Sequence, residues 1–312
     1  MVKCSAPGKV ILFGEHAVVY GEPAISVAID KRISCEMKKA KEKTTVNGYV
    51  IDEKHQAYIL EAIKRSSYED PLKITTESNL PSGAGLGSSA AVTVSSVGCL
   101  KSILDEFDEE SVAKTSFEIE FFVQGGASPI DTSTSTHGSG IMLSSRKRKS
   151  FLWQIKKDER RWKIHHRNIP DISIVVGDSR VHARTGPLVD KVRRFYEKSN
   201  FAKEIICEIG ELVKKGATAL EENDLDEVGK LMNENHRLLS ILGVSHPKLD
   251  GLVKSAQRHS YGAKLTGAGG GGSMVAITDE PELVASIIRK RDGTPYILKP
   301  TKIGLEVEDS TL

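Results

Sequence analysis

Two glycine-dense stretches constrain this chain more than any other feature: PSGAGLGSSAAV at 81–92 and KLTGAGGGGSMVAI at 264–277. In the first, Gly83, Gly85 and Gly87 alternate along a loop, two serines follow, and small and apolar residues from Ser88 to Leu104 have the character of a buried helix. Ser88 or Ser89 is placed to cap that helix. A glycine loop running into a helix N-terminus turns free backbone N–H groups toward one point, where the helix dipole adds partial positive charge. A phosphate suits such a loop; a turn that simply needs glycine is the competing reading. Two familiar phosphate-binding patterns do not fit. The loop lacks the lysine of G-x-x-x-x-G-K-[ST]. Asp105 has the spacing that a dinucleotide-binding G-x-G-x-x-G requires, but it lies between two helices with no strand before it. The second stretch holds five glycines in the six residues 267–272, between strand-like KLT and MVAI. It is therefore a tight connection inside a folded unit, suited to close backbone approach to a ligand or to the first loop.

Strands and helices mix throughout. VILF, AISVAI and RISCEM are short β-rich runs broken by a turn at Gly21-Glu22-Pro23. The pattern predicts a helix over 55–66, a strand at 73–78 and an acidic-tipped helix over 108–123. The segment ASPIDTSTST reads as a loop, and on local sequence alone an Asx-turn after Pro129 is the competing, structural reading of Asp131. GIMLSS and SFLWQI read as a hairpin around the basic tip RKRK (146–149), a solvated turn. DISIVVGD (171–178) opens a second unit, helical from Leu188 to Arg258 with breaks near Asn223 and Gly243. It ends strand, helix (281–291), strand.

Charge and cysteine content exclude several classes. With 44 basic and 42 acidic residues the net charge is +2, so no global field favours nucleic acid or an anionic membrane. No apolar run approaches the roughly 20 residues of a membrane span, and MVKCSAPGKV lacks the apolar core of a signal peptide. Cys4, Cys35, Cys99 and Cys207 form no CxxC pair, which suits a reduced, cytoplasmic protein; Cys99 is expected to be a buried, inert thiol. Adjacent residues His165 and His166 point to opposite faces of a strand and cannot share an ion.

A third stretch, PGKVILFGEHAVVYG at 7–21, places Lys9 early in a strand and Glu15-His16 at its end. In this order the three stretches resemble the motifs of the GHMP small-molecule kinases, across essentially the whole chain. The resemblance implies an α+β two-domain fold: a ribosomal-protein-S5-like ATP-binding N-terminal domain (1–169) and a ferredoxin-like C-terminal domain (170–312), with the active site between them. Within the family, GEHAVVYG and ASPIDTSTST are most similar to the mevalonate kinases, in their archaeal form. That implies transfer of the ATP γ-phosphoryl group to the primary hydroxyl of mevalonate, with Mg²⁺, by an enzyme that forms a homodimer.

By the same resemblance Pro81, Ser82, Gly83, Ala84, Gly85, Leu86, Gly87, Ser88, Ser89 and Ala90 hold the nucleotide, together with Gly269 and Gly270. Ser89 and Glu120 bind Mg²⁺, with Glu118 as the competing carboxylate. Asp131 accepts the substrate proton, with Lys9 beside it, and Glu15, His16 and Thr185 contact substrate. Two positions depart from the usual family pattern: His137-Gly138-Ser139-Gly140, and Ser273 where cysteine is common. The rivals are another kinase of the family, such as a phosphomevalonate kinase, mevalonate 3-kinase or sugar kinase, and a non-catalytic ATP-binding regulator.

Overall fold

The computed structural model describes every residue except 82, 148, 183–184 and 309–312. The chain opens with β1 (Val2–Phe13), a 3₁₀ turn at Ala17–Tyr20 and β2 (Ala24–Lys39). AISVAI and RISCEM are thus one 16-residue strand, not two. Next come β3 (Thr45–Val46), β4 (Tyr49–Val50), α1 (Glu53–Arg65), β5 (Leu72–Ser78), α2 (Ser88–Ile103) and α3 (Glu109–Gln124). They are followed by α4 (Ile130–His137), β6 (Gly140–Ser144), β7 (Phe151–Lys157) and β8 (Arg160–Arg167).

β2 organises the first sheet. Its first residues pair β6, its last pair β5, and β1 runs beside it antiparallel. The strand order is β4-β3-β5-β2-β6-β8-β7. The expected hairpin between GIMLSS and SFLWQI is absent: β6 pairs β8, and the hairpin partner of β7 is RRWKIHHR, turning at Asp158-Glu159. The charges crowded around that turn hid the strand. Around 146–149, Arg146, Lys147 and Lys149 are exposed, as a solvated turn requires; Arg148 lies outside the described residues. α1, α2 and α3 bury Ile59, Val94, Val97, Leu100 and Ile119 against Cys35, Met37, Leu72 and Ile74 of the sheet. Cys99 belongs to this core, where its Sγ donates to the Cys35 carbonyl (3.1 Å). Hydrogen bonding to Cys35 and Cys4, reinforced by burial, pushes the Cys99 thiol pKa up.

The second half runs β9 (Ser173–Asp178), α5 (Thr185–Lys198), α6 (Asn200–Glu221), α7 (Leu225–Ile241), α8 (Pro247–Ala256), β10 (Gly262–Thr266), β11 (Ser273–Thr278), α9 (Pro281–Lys290) and β12 (Thr294–Leu298). Its antiparallel order β10-β11-β9-β12 is that of a ferredoxin-like βαββαβ unit. The helical stretch breaks near residues 223 and 243, as expected, and also at Ser199, whose hydroxyl caps α6 through the Ala202 N–H. The last strand, β13 (Glu306–Glu308), returns to the first sheet and pairs β1, with Lys3 opposite Glu308. Sequence reasoning assigned no such crossing. One continuous core joins the halves: Val10, Leu12 and Phe13 of β1 pack with Ile206, Leu212 and Val213 of α6 and with Val175 and Val275. Gly216 of α6 makes the approach possible, since a Cβ there would lie 2.8 Å from the Phe13 ring.

Candidate active site

The site collects at the centre of this joint. Its floor is β1, where Lys9 is buried and its backbone N–H bonds the Leu86 carbonyl (2.9 Å), fixing the glycine loop over the strand. Gly87 caps α2 with φ +77, a left-handed conformation that glycine adopts without penalty. Neither serine caps the helix, contrary to expectation. Gly87 is needed for space too: a Cβ there would lie 2.9 Å from Lys9 Cγ. The first intrahelical bond of α2 runs from the Ala91 N–H to the Gly87 carbonyl. The amides just before it form the anion-directed N-terminus.

The segment read as a loop is a helix. α4 buries Thr132, Ser133, Thr134, Ser135 and Thr136, a composition with low intrinsic helix propensity. Burial makes it viable, because threonine hydroxyls bond the preceding turn: Thr134 donates to Ile130 O (2.6 Å) and Thr136 to Thr132 O (2.8 Å), while the Ser133 and Ser135 hydroxyls are buried without a partner. Asp131 is therefore a first-turn residue of α4, where the helix dipole favours its charge, and not an Asx-turn residue. Its Oδ2 lies 3.0 Å from Lys9 Nζ. Its Oδ1 is buried with no hydrogen-bond partner.

Glu120 and Glu118 separate cleanly. Glu118 is exposed and pairs Arg65 (3.1 Å). Glu120 is buried, and its Oε1 accepts from Ser89 Oγ (2.7 Å) and Gln124 Nε2 (3.0 Å). Burial, then repulsion from Asp131, pushes the Glu120 carboxyl up to about 7, against the opposing pull of Ser89, Lys9 and Gln124. Among the described residues no three His, Cys, Asp or Glu side chains cluster as a metal cage. A hydroxyl and one carboxylate completed by phosphate oxygens and water is nonetheless an ordinary Mg²⁺ environment.

Glu15 and His16 follow Gly14 at the end of β1. Glu15 is almost completely buried and ion-pairs with Lys264 of β10; its Oε2 has no hydrogen-bond partner. His16 adopts φ +61 and donates from Nε2 to the Ala268 carbonyl (3.0 Å). Burial and the nearby Lys264 charge lower its pKa, which keeps the ring neutral. Lys264 escaped the sequence reading. Its only signal is a lysine in a strand that is otherwise apolar up to the glycine run.

The late glycine run braces the other motifs. Ser273 Oγ donates to Ala84 O (2.9 Å) and Thr266 Oγ1 to Ile11 O (3.1 Å). Gly269 and Gly270 are committed to packing on the α7–α8 connection. The Gly270 N–H bonds Val244 O (2.7 Å), and a Cβ on Gly269 would lie 2.0 Å from that same oxygen. Of the remaining site expectations, Ser82 lies outside the described residues, as does the side chain of Thr185, the first residue of α5. His165 and His166 do point apart. His165 is fully buried, while His166 Nδ1 meets His137 Nε2 (2.9 Å), a ring pair that the sequence reading missed.

Comparison with known proteins agrees with this geometry. A family model described as GHMP kinases N terminal domain matches residues 55–139, and one described as GHMP kinases C terminal matches 217–294. The chain is 36% identical to a mevalonate kinase of Pyrococcus abyssi, covering 99% of this chain and 98% of the relative. The chain belongs to the GHMP kinase family. Among solved structures, the GHMP kinase described as Methanococcus jannaschii mevalonate kinase superposes with a TM-score of 0.77 at 29% identity, covering 96% of this chain and 98% of that one. L. major mevalonate kinase in complex with R-mevalonate gives 0.78 at 25% identity, with 96% of each chain covered. Hydrogen bonds join the three stretches in this chain: Lys9 N–H to Leu86 O, Ser273 Oγ to Ala84 O and Thr266 Oγ1 to Ile11 O.

Proposed function

We propose that this chain transfers the γ-phosphoryl group of ATP to the C5 hydroxyl of mevalonate. The Lys9–Asp131 pair, 3.0 Å apart beside the glycine loop, carries the proposal. The full-length similarity to mevalonate kinases supports the choice of substrate. The glycine loop and the α2 N-terminus hold the nucleotide phosphates. Asp131, with Oδ1 unpartnered, orients the acceptor hydroxyl and takes its proton at that oxygen as the new O–P bond forms. The Lys9 ammonium holds Asp131 through its other oxygen and stabilises charge developing on the attacking oxygen. Glu15, His16 and Thr185 take the substrate end, and the neutral His16 ring suits hydrogen bonding to a hydroxyl. Phosphoryl transfer is loose, so positioning and charge neutralisation are the protein's main contributions.

The Glu120 carboxyl supports a fit between the residues present and Mg²⁺. It is buried and repelled by Asp131, a site that a divalent cation would relieve. Ser89 and Glu120 would hold the ion, which when bound neutralises the phosphate oxygens. Among the described residues no helix is long and apolar enough to cross a membrane. The proposal extends to a cytoplasmic homodimer, testable by sedimentation.

The decisive test is ADP release with ATP and Mg²⁺, offering mevalonate, phosphomevalonate, homoserine and galactose separately. Turnover with mevalonate, and a product phosphorylated on the primary hydroxyl, is the expected result. Turnover with a different substrate alone would keep the kinase and remove the assigned specificity.

A further inference from the structure

Lys264 belongs to none of the three motif roles, yet among the described residues it is the largest charged side chain with no exposure at all. It comes from β10, 249 residues after its partner Glu15. Its ammonium also donates to the Leu265 carbonyl (2.7 Å). A buried ion pair is weak evidence for stability, since well-packed apolar residues of similar size usually serve as well or better. Retaining one here needs another reason. Glu15 supplies it: one carboxylate oxygen is engaged by Lys264, and the other is buried and unpartnered at the end of the strand that carries Lys9.

Two cations act on Glu15. Lys9 acts from β1 and Lys264 from β10, while the neutral His16 lies in its own turn. Beyond Lys264, His236 of α7 feels the lysine charge and pairs with Asp250 of α8 (3.2 Å). The result is an alternating series from Lys264 to Glu15 to Lys9 to Asp131. Burial raises the Glu15 carboxyl pKa, and the Lys264 ammonium limits the rise. Contacts from the same β10–β11 connection, Ala268 to His16 and Thr266 to Ile11, hold the turn in place.

We infer that Lys264 is a positioning residue that keeps Glu15 ionised and aimed with its free oxygen toward the substrate. This rests on the proposed function, because Glu15 is there assigned to the substrate end. Kinetics separates that role from a brace. Lys264→Met removes the cation that opposes the effect of burial and shifts Glu15 toward its protonated form, so KM for mevalonate rises about tenfold or more while KM for ATP stays within about twofold. Its loss in kcat/KM recovers as pH rises and Glu15 ionises. Glu15→Gln removes the same contact, so adding Lys264→Met to it costs little further. Lys264→Arg, which keeps the charge, restores part of the wild-type KM if it fits.

A second measurement needs no turnover. Burial raises the Glu15 pKa in the wild type, and Lys264→Met removes the cation that limits the rise, so the variant's thermal stability falls more steeply than the wild type's as pH rises above about 4.5. The slope added by Lys264→Met must disappear when Glu15→Gln is present in both proteins, leaving the slope that other groups such as Glu120 contribute. A wild type inactive on mevalonate would sink the functional assignment, and the stability comparison would still decide the ionisation role of Lys264. Equal rises in both KM values, or the same pH slope with and without Glu15, would overturn the inference and leave Lys264 a structural staple.

Discussion

Glu120→Gln offers a quantitative test of how the site stores destabilising charge. The amide oxygen keeps the acceptor position for Ser89 and Gln124, so the two hydrogen bonds to Oε1 have the same partners. What disappears is an anion buried beside Asp131. The carboxyl moves from 4.5 to about 7 on folding. At about 1.4 kcal/mol per pKa unit, the folded protein forfeits on the order of 3 kcal/mol when it must hold Glu120 ionised. The sign follows from proton uptake: between the unfolded and folded pKa values the native state binds more protons, so stability falls as pH rises from about 4.5 to 7 and then levels. The gap between the Glu120→Gln variant and the wild type is therefore expected to be small at pH 4.5 and to grow to roughly 3 kcal/mol in favour of the variant by pH 8. Urea unfolding of both proteins at about pH 4.5, 6 and 8, without nucleotide, measures it. A constant gap, or a variant less stable at the highest pH, would refute the reasoning. ADP release by the variant should fall by at least about tenfold despite the gain, because the proposed Mg²⁺ ligand loses its charge.

Asp131→Asn should leave nucleotide binding within about threefold and reduce turnover by about 10² or more, read by calorimetry and ADP release; near-normal turnover would remove Asp131 as base. Lys9→Met should lower turnover with a circular dichroism spectrum like the wild type's, whereas a melted fold would make its role structural. Gly87→Ala forces a side chain into left-handed backbone and against the Lys9 stem, costing about 1–2 kcal/mol from the backbone alone; the melting midpoint and nucleotide affinity should fall together. Ser273→Cys keeps a weaker donor toward Ala84 O, so nucleotide affinity should change by less than about threefold.

The parts of this molecule that were legible in sequence are those fixed by local chemistry. The glycine loop was legible because only glycine suits Gly87, where a Cβ would press on the Lys9 stem. Helices α1, α3 and α9 followed from apolar spacing and, for α3, from an acidic first turn capped by Asp108. Tertiary overrides hid the rest. A run of threonines and serines reads as loop until the Thr134 and Thr136 hydroxyls are seen bonding the preceding turn inside a core. The choice between Glu118 and Glu120 depends on which side of α3 meets α2, and the apolar pattern did not decide it. Lys264 was invisible because its partner lies almost the whole chain away.

The return of β13 to β1 has a consequence for how the molecule is made. Lys3 waits for Glu308. While the ribosome works through everything that separates them, the outer edge of β1 stays without its neighbour, and Arg32 lacks the Ile303 and Gly304 carbonyls it finally grips. The first sheet can assemble early from β2, β5 and β6, but its seam closes only once the codons for β13 have been read. A nascent chain of this protein is therefore exposed to edge-to-edge mispairing for most of its synthesis, and a message cut short before Glu306 leaves that seam open for good.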